Sequence, residues 1–450
     1  MRMPADVEAD WLTPAAGAAV SSTVRLPGSK SMTNRALILA ALADDPTRVT
    51  GPLEARDTAL MRAAITALGG RVEASAPEGG ADAAWLVTPG WRTGRISLDT
   101  GNAGTVMRFV PPVAALASAD VEVSGDARAS QRPVGQLLAA LRQAGVTISD
   151  DGRGAVPFTV HGRGHVRGGA VNLDASASSQ LISGLMLAAP RYDLGLEIVH
   201  HGGRVPSAQH IAMTAAMLTA AGAQVETGTG SGGDAAGDRA APDRWRVLPG
   251  RLAPGTVHVE PDLSNAAPFL AAALVTAGRV TIPGWPAVSL QPARQIISLL
   301  SEMGAACWQD ADGLHVEGTG SIHGTTTDLR DVNELAPVLT ALAALADSPS
   351  QFTGIGHMRL HESDRLAALV AEIGALGGDV TELPDGLAVR PRPLRAASQP
   401  FDSYDDHRLV MAAAVLGLAV PGLRVRNAAT VGKTFPEFRS RWLEMLGQVP

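Results

Sequence analysis

Six stretches of this chain are apolar on every side rather than on one. Ser31–Ala43, Asn102–Ala117, Ser178–Ala189, Ser264–Ala277, Glu334–Ala346 and Asp406–Leu418 run through Ala, Leu, Val and Met with few polar residues after the first turn. A helix that is hydrophobic all round belongs inside a protein, so the pattern predicts six buried helices. Each is led in by a small-polar turn, and successive starts fall about seventy to ninety residues apart. Between them lie second, one-faced helices opened by Arg56-Asp57-Thr58, Gln131-Arg132-Pro133, Pro206-Ser207, Gln291-Pro292, Glu362-Ser363-Asp364-Arg365 and Lys433-Thr434-Phe435-Pro436. The first five run into turns at Gly69-Gly70, Gly145, Gly222, Gly304 and Gly377-Gly378, and then into short hairpins such as Val72–Val87 and Val380–Val389. The plan of strand, helix, strand, helix and hairpin is therefore used six times.

The sixth unit runs out of chain after its second helix. The N-terminal strand near Ser22–Leu26 is expected to complete it, which assigns residues 1–26 plus 259–450 to one domain and residues 27–258 to another, three units in each. The fold class is α/β (α+β), with crossings near residue 27 and at His258–Asp262. Thr227–Asp243, rich in Gly, Asp and Ala, reads as an exposed hairpin tip. A length of 450 residues exceeds what one core usually serves, in keeping with two domains.

Composition narrows the class. Hydrophobic residues make up 46% and charged residues 18%, values of a globular chain rather than a disordered one. The apolar runs are broken by Gly or Pro before they reach spanning length, and the first twenty residues hold Asp6, Glu8 and Asp10 without an apolar signal core. A cytoplasmic protein without membrane partners is expected. A net charge of −7 gives no support to nucleic-acid binding. The single cysteine, Cys307, excludes a disulfide framework and a thiolate cluster, and its strand-like surroundings predict a core position.

Charge placement adds the candidate chemistry. Pro27-Gly28-Ser29-Lys30-Ser31-Met32-Thr33-Asn34-Arg35 leads directly into the first apolar helix, with Ser31 as its expected cap and two cations beside a helix end that already favours anions. Lys30 and Lys433 are the only lysines of the sequence, and both open polar, helix-leading segments. Lys30, Arg35, Arg132, Arg365, Arg408 and Lys433 are all predicted at or near helix N-termini, the end where a cation costs roughly 0.3–1 kcal/mol unless an anion is bound. Ser31, Ser178, Ser179 and Ser207 lie at the same helix starts. An anion-binding cleft is the expectation, with Glu334 and Glu362 as carboxylates placed for general base and general acid work.

At these residues the chain resembles the enolpyruvyl transferases. The likeness rests on Pro27-Gly28-Ser29-Lys30-Ser31 with Asn34-Arg35, Gly101-Asn102-Ala103-Gly104-Thr105-Val106-Met107-Arg108, Gln131-Arg132-Pro133, Ser176-Ala177-Ser178-Ser179-Gln180, Glu362-Ser363-Asp364-Arg365-Leu366, Asp405-Asp406-His407-Arg408 and Lys433-Thr434-Phe435-Pro436, in that order from Val24 to Met445. The resemblance implies two domains of three βαβαββ units, joined by two crossings and closing on substrate. It implies transfer of the enolpyruvyl group of phosphoenolpyruvate to the 5-hydroxyl of shikimate 3-phosphate, with release of phosphate, on the route to chorismate and aromatic amino acids. Neither metal nor organic cofactor is implied, and a monomer is expected. Carried over position by position, Lys30, Ser31, Arg35, Ser178, Ser179, Gln180, Ser207, Glu334 and His361 are similar to the binders of shikimate 3-phosphate. Lys30, Gly104, Arg132, Gln180, Arg365, Arg408 and Lys433 are similar to the phosphoenolpyruvate clamp. Glu362 corresponds to the proton donor and Glu334 to the acceptor, with Lys30 beside them as a catalytic cation. The sequence departs from the pattern at Glu334, where many members have Asp, at His361, often Lys, and at His210, often Tyr. A UDP-N-acetylglucosamine enolpyruvyl transferase is the alternative within this fold, but its reactive-loop cysteine has no counterpart here. A non-catalytic anion-binding repeat protein is the alternative of another class.

Overall fold

In the computed structural model, which describes residues 10–75, 83–229 and 242–449, the described strands form five four-stranded sheets and one three-stranded sheet. The described helices are α1 (Lys30–Ala41), α2 (Arg56–Leu68), α3 (Gly104–Ala114), α4 (Gly135–Gln143), α5 (Gln180–Ala188), α6 (Ala208–Ala220), α7 (Leu263–Thr276), α8 (Ala293–Glu302), α9 (Ala336–Ala344), α10 (Arg365–Ala375), α11 (His407–Ala419) and α12 (Phe438–Met445). The chain divides into two compact units, Gly28–Glu260 and the described parts of Met1–Pro27 with Pro261–Pro450.

In Gly28–Glu260 the three apolar helices α1, α3 and α5 pack on one another. All eleven residues of α3 are buried, as its all-round apolar sequence requires. Two parallel strands need a crossover between them, and these helices supply it. Gly94–Asp99 pairs in parallel with Ala119–Ser124 around α3, and Gly169–Leu173 with Leu196–His200 around α5. The chain enters this unit at Gly28 with no strand ahead of α1. Its place is taken by Thr256–His258 from the far end, parallel to Thr47–Thr50. A Cβ on Gly28 would lie 2.0 Å from the Gly51 carbonyl oxygen, so only glycine lets the lead-in to α1 pass this close.

The other unit repeats the arrangement with α7, α9 and α11 packed together. Its core includes a ring cluster in which Phe269 lies 5.4 to 5.8 Å from the rings of Phe435, Phe438 and Trp442, each pair worth roughly 0.5–1.5 kcal/mol beyond area burial. Here the expectation for the N-terminal strand is corrected. Ser21–Thr23 pairs in parallel with Arg279–Ile282 and opens the fourth unit ahead of α7. The sixth unit is completed by Trp11–Leu12, antiparallel to Arg424–Arg426. Two- and three-residue strands carry no readable period, so their partners were not legible.

Helix starts also shift. Ser29, not Ser31, caps α1, accepting from the Met32 amide at 3.5 Å. Glu334 lies in a 3₁₀ turn, Asn333–Leu335, ahead of α9. Arg132 directly follows the 3₁₀ turn Ala129–Gln131, and Lys433 ends the 3₁₀ turn Ala428–Lys433, so neither side chain belongs to a helix N-terminus of its own. Cys307 is half-buried on the strand Ala305–Asp310 rather than in the core. Of the expected hairpins, Arg71–Ser75 pairs with Ala84–Thr88, Asp379–Leu383 with Gly386–Arg390 and Val225–Gly228 with Arg244–Val247. The tips of the first and last, like residues 1–9, lie outside the described residues.

Candidate active site

In Gly28–Glu260 the N-terminal ends of α1, α3 and α5 are brought together by side chains. Asn34 Nδ2 donates to Thr105 Oγ1 at 2.6 Å, and Arg108 Nη1 donates to Gln180 Oε1 at 3.1 Å. Three positive dipole ends therefore meet where Lys30, Gly104 and Gln180 begin their helices. Arg132 reaches the same place, donating from Nη1 to Asn102 O at 2.7 Å and Asn102 Oδ1 at 3.0 Å. Lys30 Nζ lies 3.2 Å from Asp57 Oδ2, at the first turn of α2. Ser178 Oγ accepts from the Gln180 amide at 3.3 Å, Ser179 is buried, and Ser207 precedes α6 in a left-handed conformation at φ 51°.

Among the described residues, two guanidiniums here are buried and bonded only to neutral oxygens. Arg35 donates to Thr214 Oγ1 at 2.7 Å, Ser31 O at 2.9 Å, His210 O at 3.1 Å and Ser183 Oγ at 3.3 Å, with the Phe109 ring 5.1 Å from its Cζ. Burial pulls its pKa down to about 9. Arg108 bonds Gln180 and the carbonyls of Gly104 and Pro133, both at 3.4 Å. Burial first, and the charge of Arg132 second, push it well below its ordinary value. Cations held without a carboxylate in a dry interior cost several kcal/mol, and a bound anion relieves that cost.

The second unit gathers its own set at the starts of α7, α9, α10 and α11. Glu334 Oε2 bridges Arg408 Nε at 3.1 Å and Arg365 Nη1 at 3.4 Å. Arg408 also donates to Ser264 Oγ at 2.6 Å and Ser264 O at 3.0 Å, which ties α11 to α7. Arg365 grips Asp406 with Nε at 2.7 Å and Nη2 at 3.1 Å. Burial alone would lower the Arg365 pKa, but Asp406 and Glu334 outweigh it and hold the group above its ordinary range. Burial likewise raises and Arg365 lowers Asp406, whose net shift is downward. Glu362 Oε2 lies 3.1 Å from His407 Nδ1 and 3.9 Å from Lys433 Nζ, and Lys433 also donates to the Asp405 carbonyl. His361 Nδ1 faces Arg365 Nη1 at 3.3 Å. Ligand atoms of Glu362, Asp406 and His407 fall within 4.8 Å of one another, a spacing that would suit a cation. The Asp406 oxygens, however, already accept from Arg365, Ser363 and the Arg408 amide, with Lys433 close by, so these groups form an ion-pair network rather than a metal site.

The chain matches the model of the family described as EPSP synthase (3-phosphoshikimate 1-carboxyvinyltransferase) over residues 14–442. It belongs to the EPSP synthase family. Among solved structures it is similar to an EPSP synthase from Acinetobacter baumannii, at 24% identity and a TM-score of 0.74 over 98% of both chains. A second EPSP synthase structure from that organism matches at 23% identity and 0.71, over 95% of this chain and 96% of the other. The enolpyruvyl transferase NikO from Streptomyces tendae matches at 18% and 0.70, over 96% and 97%. At these identities the likeness establishes the fold, and the family match establishes the activity.

An EPSP synthase transfers the enolpyruvyl group of phosphoenolpyruvate to the 5-hydroxyl of shikimate 3-phosphate, releasing phosphate. Both substrates carry phosphate and carboxylate, the charges that buried arginines at helix ends are built to meet. Sequence reasoning left out Asp57, Asn102, Arg108, Ser264, Asp406 and His407. Asn102, Arg108, Asp406 and His407 stood inside the motifs that carry the resemblance, and Asp57 and Ser264 at helix starts already marked out, but the last two gain a role only as partners of Lys30 and Arg408.

Gly104 has a measurable consequence. A Cβ there would lie 2.6 Å from Arg132 Nη2, 2.9 Å from Arg108 Nη1 and 3.0 Å from Gln180 Oε1. These are side-chain ends that can move aside, so the fold survives while the ends of Arg132, Arg108 and Gln180 are displaced. Under the assignment proposed below, Gly104→Ala is expected to raise KM for phosphoenolpyruvate about tenfold, or ~1.4 kcal/mol, with little change in Tm. Steady-state kinetics with an unchanged KM would refute this.

Proposed function

We propose that each unit of this EPSP synthase supplies one part of the substrate-binding machinery. Lys30, Ser31, Arg35, Ser178, Ser179, Gln180, Ser207, Glu334 and His361 serve shikimate 3-phosphate, and Lys30, Gly104, Arg132, Gln180, Arg365, Arg408 and Lys433 serve phosphoenolpyruvate. The observation that supports this most is the pair of buried guanidiniums, Arg35 and Arg108, bonded only to neutral oxygens beside three helix N-termini. In this reading Glu362 gives a proton to the methylene carbon of phosphoenolpyruvate while Glu334 takes the proton of the attacking 5-hydroxyl. The C–O bond forms, and the tetrahedral intermediate then returns a methyl proton to the Glu362 carboxylate as its bond to phosphate breaks, with Glu334 passing the hydroxyl proton on to the departing phosphate. Each acid–base contribution is worth roughly a hundred- to ten-thousand-fold. The cations on carboxylate and leaving phosphate contribute about 1.5–3 kcal/mol per charge-assisted bond. A cytoplasmic location fits, because two multiply charged metabolites do not cross a bilayer unaided.

The test offers each acceptor in turn to the enzyme with phosphoenolpyruvate and follows phosphate. Release with shikimate 3-phosphate and negligible release with UDP-N-acetylglucosamine is the expected result. The reverse preference would replace the acceptor assignment.

A further inference from the structure

Two segments leave the parallel pair Phe401–Asp402 and Arg424–Arg426 side by side, and each turns left-handed within three residues. Among the described residues six non-glycine positions have a positive φ, and three gather here: Tyr404 at 49°, Asp405 at 55° and Asn427 at 51°. Such a backbone is strained for a side chain with a Cβ, most of all for one as bulky as tyrosine, and it persists only where the surroundings impose it. Burial does not impose it, because all three residues are exposed.

Hydrogen bonds hold the turn instead. The Tyr404 amide donates to Asp402 Oδ1 and its hydroxyl to Glu372 Oε1, both at 2.8 Å, while Glu372 Oε2 accepts from the Asp402 amide at 3.1 Å. Ser403 Oγ donates to the Asn427 carbonyl at 3.2 Å. Asp405 is then gripped from both ends of the 3₁₀ turn Ala428–Lys433. Asn427, just ahead of that turn, donates from Nδ2 to Asp405 Oδ1, and Lys433, its last residue, donates from Nζ to the Asp405 carbonyl. The strain thus ends on one group of the candidate site: a buried ammonium with three N–H donors, one on Asp405 and the whole lying 3.9 Å from Glu362 Oε2.

We propose that Asn427 is a positioning residue for Lys433. By tethering the Asp405 side chain it keeps that residue left-handed, with its carbonyl on Nζ, and the ammonium, anchored through one hydrogen, is aimed at the phosphoenolpyruvate anion. The last step rests on the assignment of Lys433 made above. Without the tether Asp405 relaxes toward the right-handed region, which rotates the peptide bearing its carbonyl and takes the anchor from Nζ. An ammonium on a flexible four-carbon stem then has to be ordered by the ligand itself, which weakens binding. The loss falls on KM for phosphoenolpyruvate, whereas shikimate 3-phosphate, to which Lys433 is not assigned, binds as before.

Glycine removes the tether without adding strain, since it adopts a φ of 51° freely and has no amide donor in its side chain. Asn427→Gly is expected to raise KM for phosphoenolpyruvate about tenfold, to leave KM for shikimate 3-phosphate within about twofold, and to keep Tm. Lys30 and Lys433 are the only lysines of the sequence. Spectra of substrate-free enzyme labelled with ¹⁵N-lysine therefore hold two side-chain ammonium groups, and that of Lys433 is identified by its loss in Lys433→Met. Faster hydrogen exchange with water at Lys433 in Asn427→Gly, with Lys30 unchanged, supports the proposal. Exchange at Lys433 like that of the parent overturns it, and so does equal acceleration at both lysines, which marks a general loosening. Acceleration at Lys433 alone with KM for phosphoenolpyruvate unchanged overturns instead the assignment of Lys433 to that substrate, so the two failures are told apart.

Discussion

Glu362→Gln is expected to lower turnover by about a hundredfold or more while shikimate 3-phosphate binds as before. The carboxyl group is almost fully buried, with Oε2 3.1 Å from His407 Nδ1 and 3.9 Å from Lys433 Nζ. An amide of the same shape can still accept from His407, so packing and local hydrogen bonding survive. What it lacks is a proton that can be given to carbon and taken back. The substitution relieves the repulsion between Glu362 and Asp406 but also takes a carboxylate away from Lys433 and Arg365. Tm measured on the variant separates the kinetic effect from unfolding. Calorimetric titration with shikimate 3-phosphate reports binding, and single-turnover phosphate release reports chemistry. Unchanged release would remove Glu362 from the acid role, and lost binding with normal chemistry would place it on the acceptor instead.

The parts of this structure legible in the sequence are those where one physical rule acts alone. Helices such as α3 and α11, apolar on every side, are placed by burial with little competition, and their sixfold spacing exposes the repeat. The ends of these helices are less legible because caps and 3₁₀ turns compete over a few residues. Ser29 took the cap expected of Ser31, and Lys433 closes a 3₁₀ turn instead of opening a helix. The short N-terminal strands were the hardest. Trp11–Leu12 and Ser21–Thr23 are defined only by partners at Arg424–Arg426 and Arg279–Ile282, hundreds of residues away. In the site the pattern revealed cations but not what holds them. That Arg365 is gripped by Asp406, or that Glu334 bridges two guanidiniums, follows from the packing of α9, α10 and α11 and from nothing local.

Lys30→Arg conserves charge, yet it is expected to reduce kcat/KM about a hundredfold, or ~2.7 kcal/mol. Lys30 opens α1, where the helix dipole disfavours a cation, and its Nζ rests 3.2 Å from Asp57 Oδ2. A compact ammonium can keep that contact on one side and donate to a phosphate or carboxylate on another. A planar guanidinium in the same space matches the Asp57 carboxylate as a fork, which turns its donors toward the protein and away from the substrate. The variant should therefore fold with an unchanged or slightly higher Tm, because its ion pair is stronger, while losing affinity for both substrates. Pairing Lys30→Arg with Asp57→Asn tests the cause: with the carboxylate gone the fork is released, and part of the lost activity should return. Kinetics like those of the parent in Lys30→Arg alone would mean that any cation serves at this helix end, and that the survival of lysine here among so many arginines carries no chemical message.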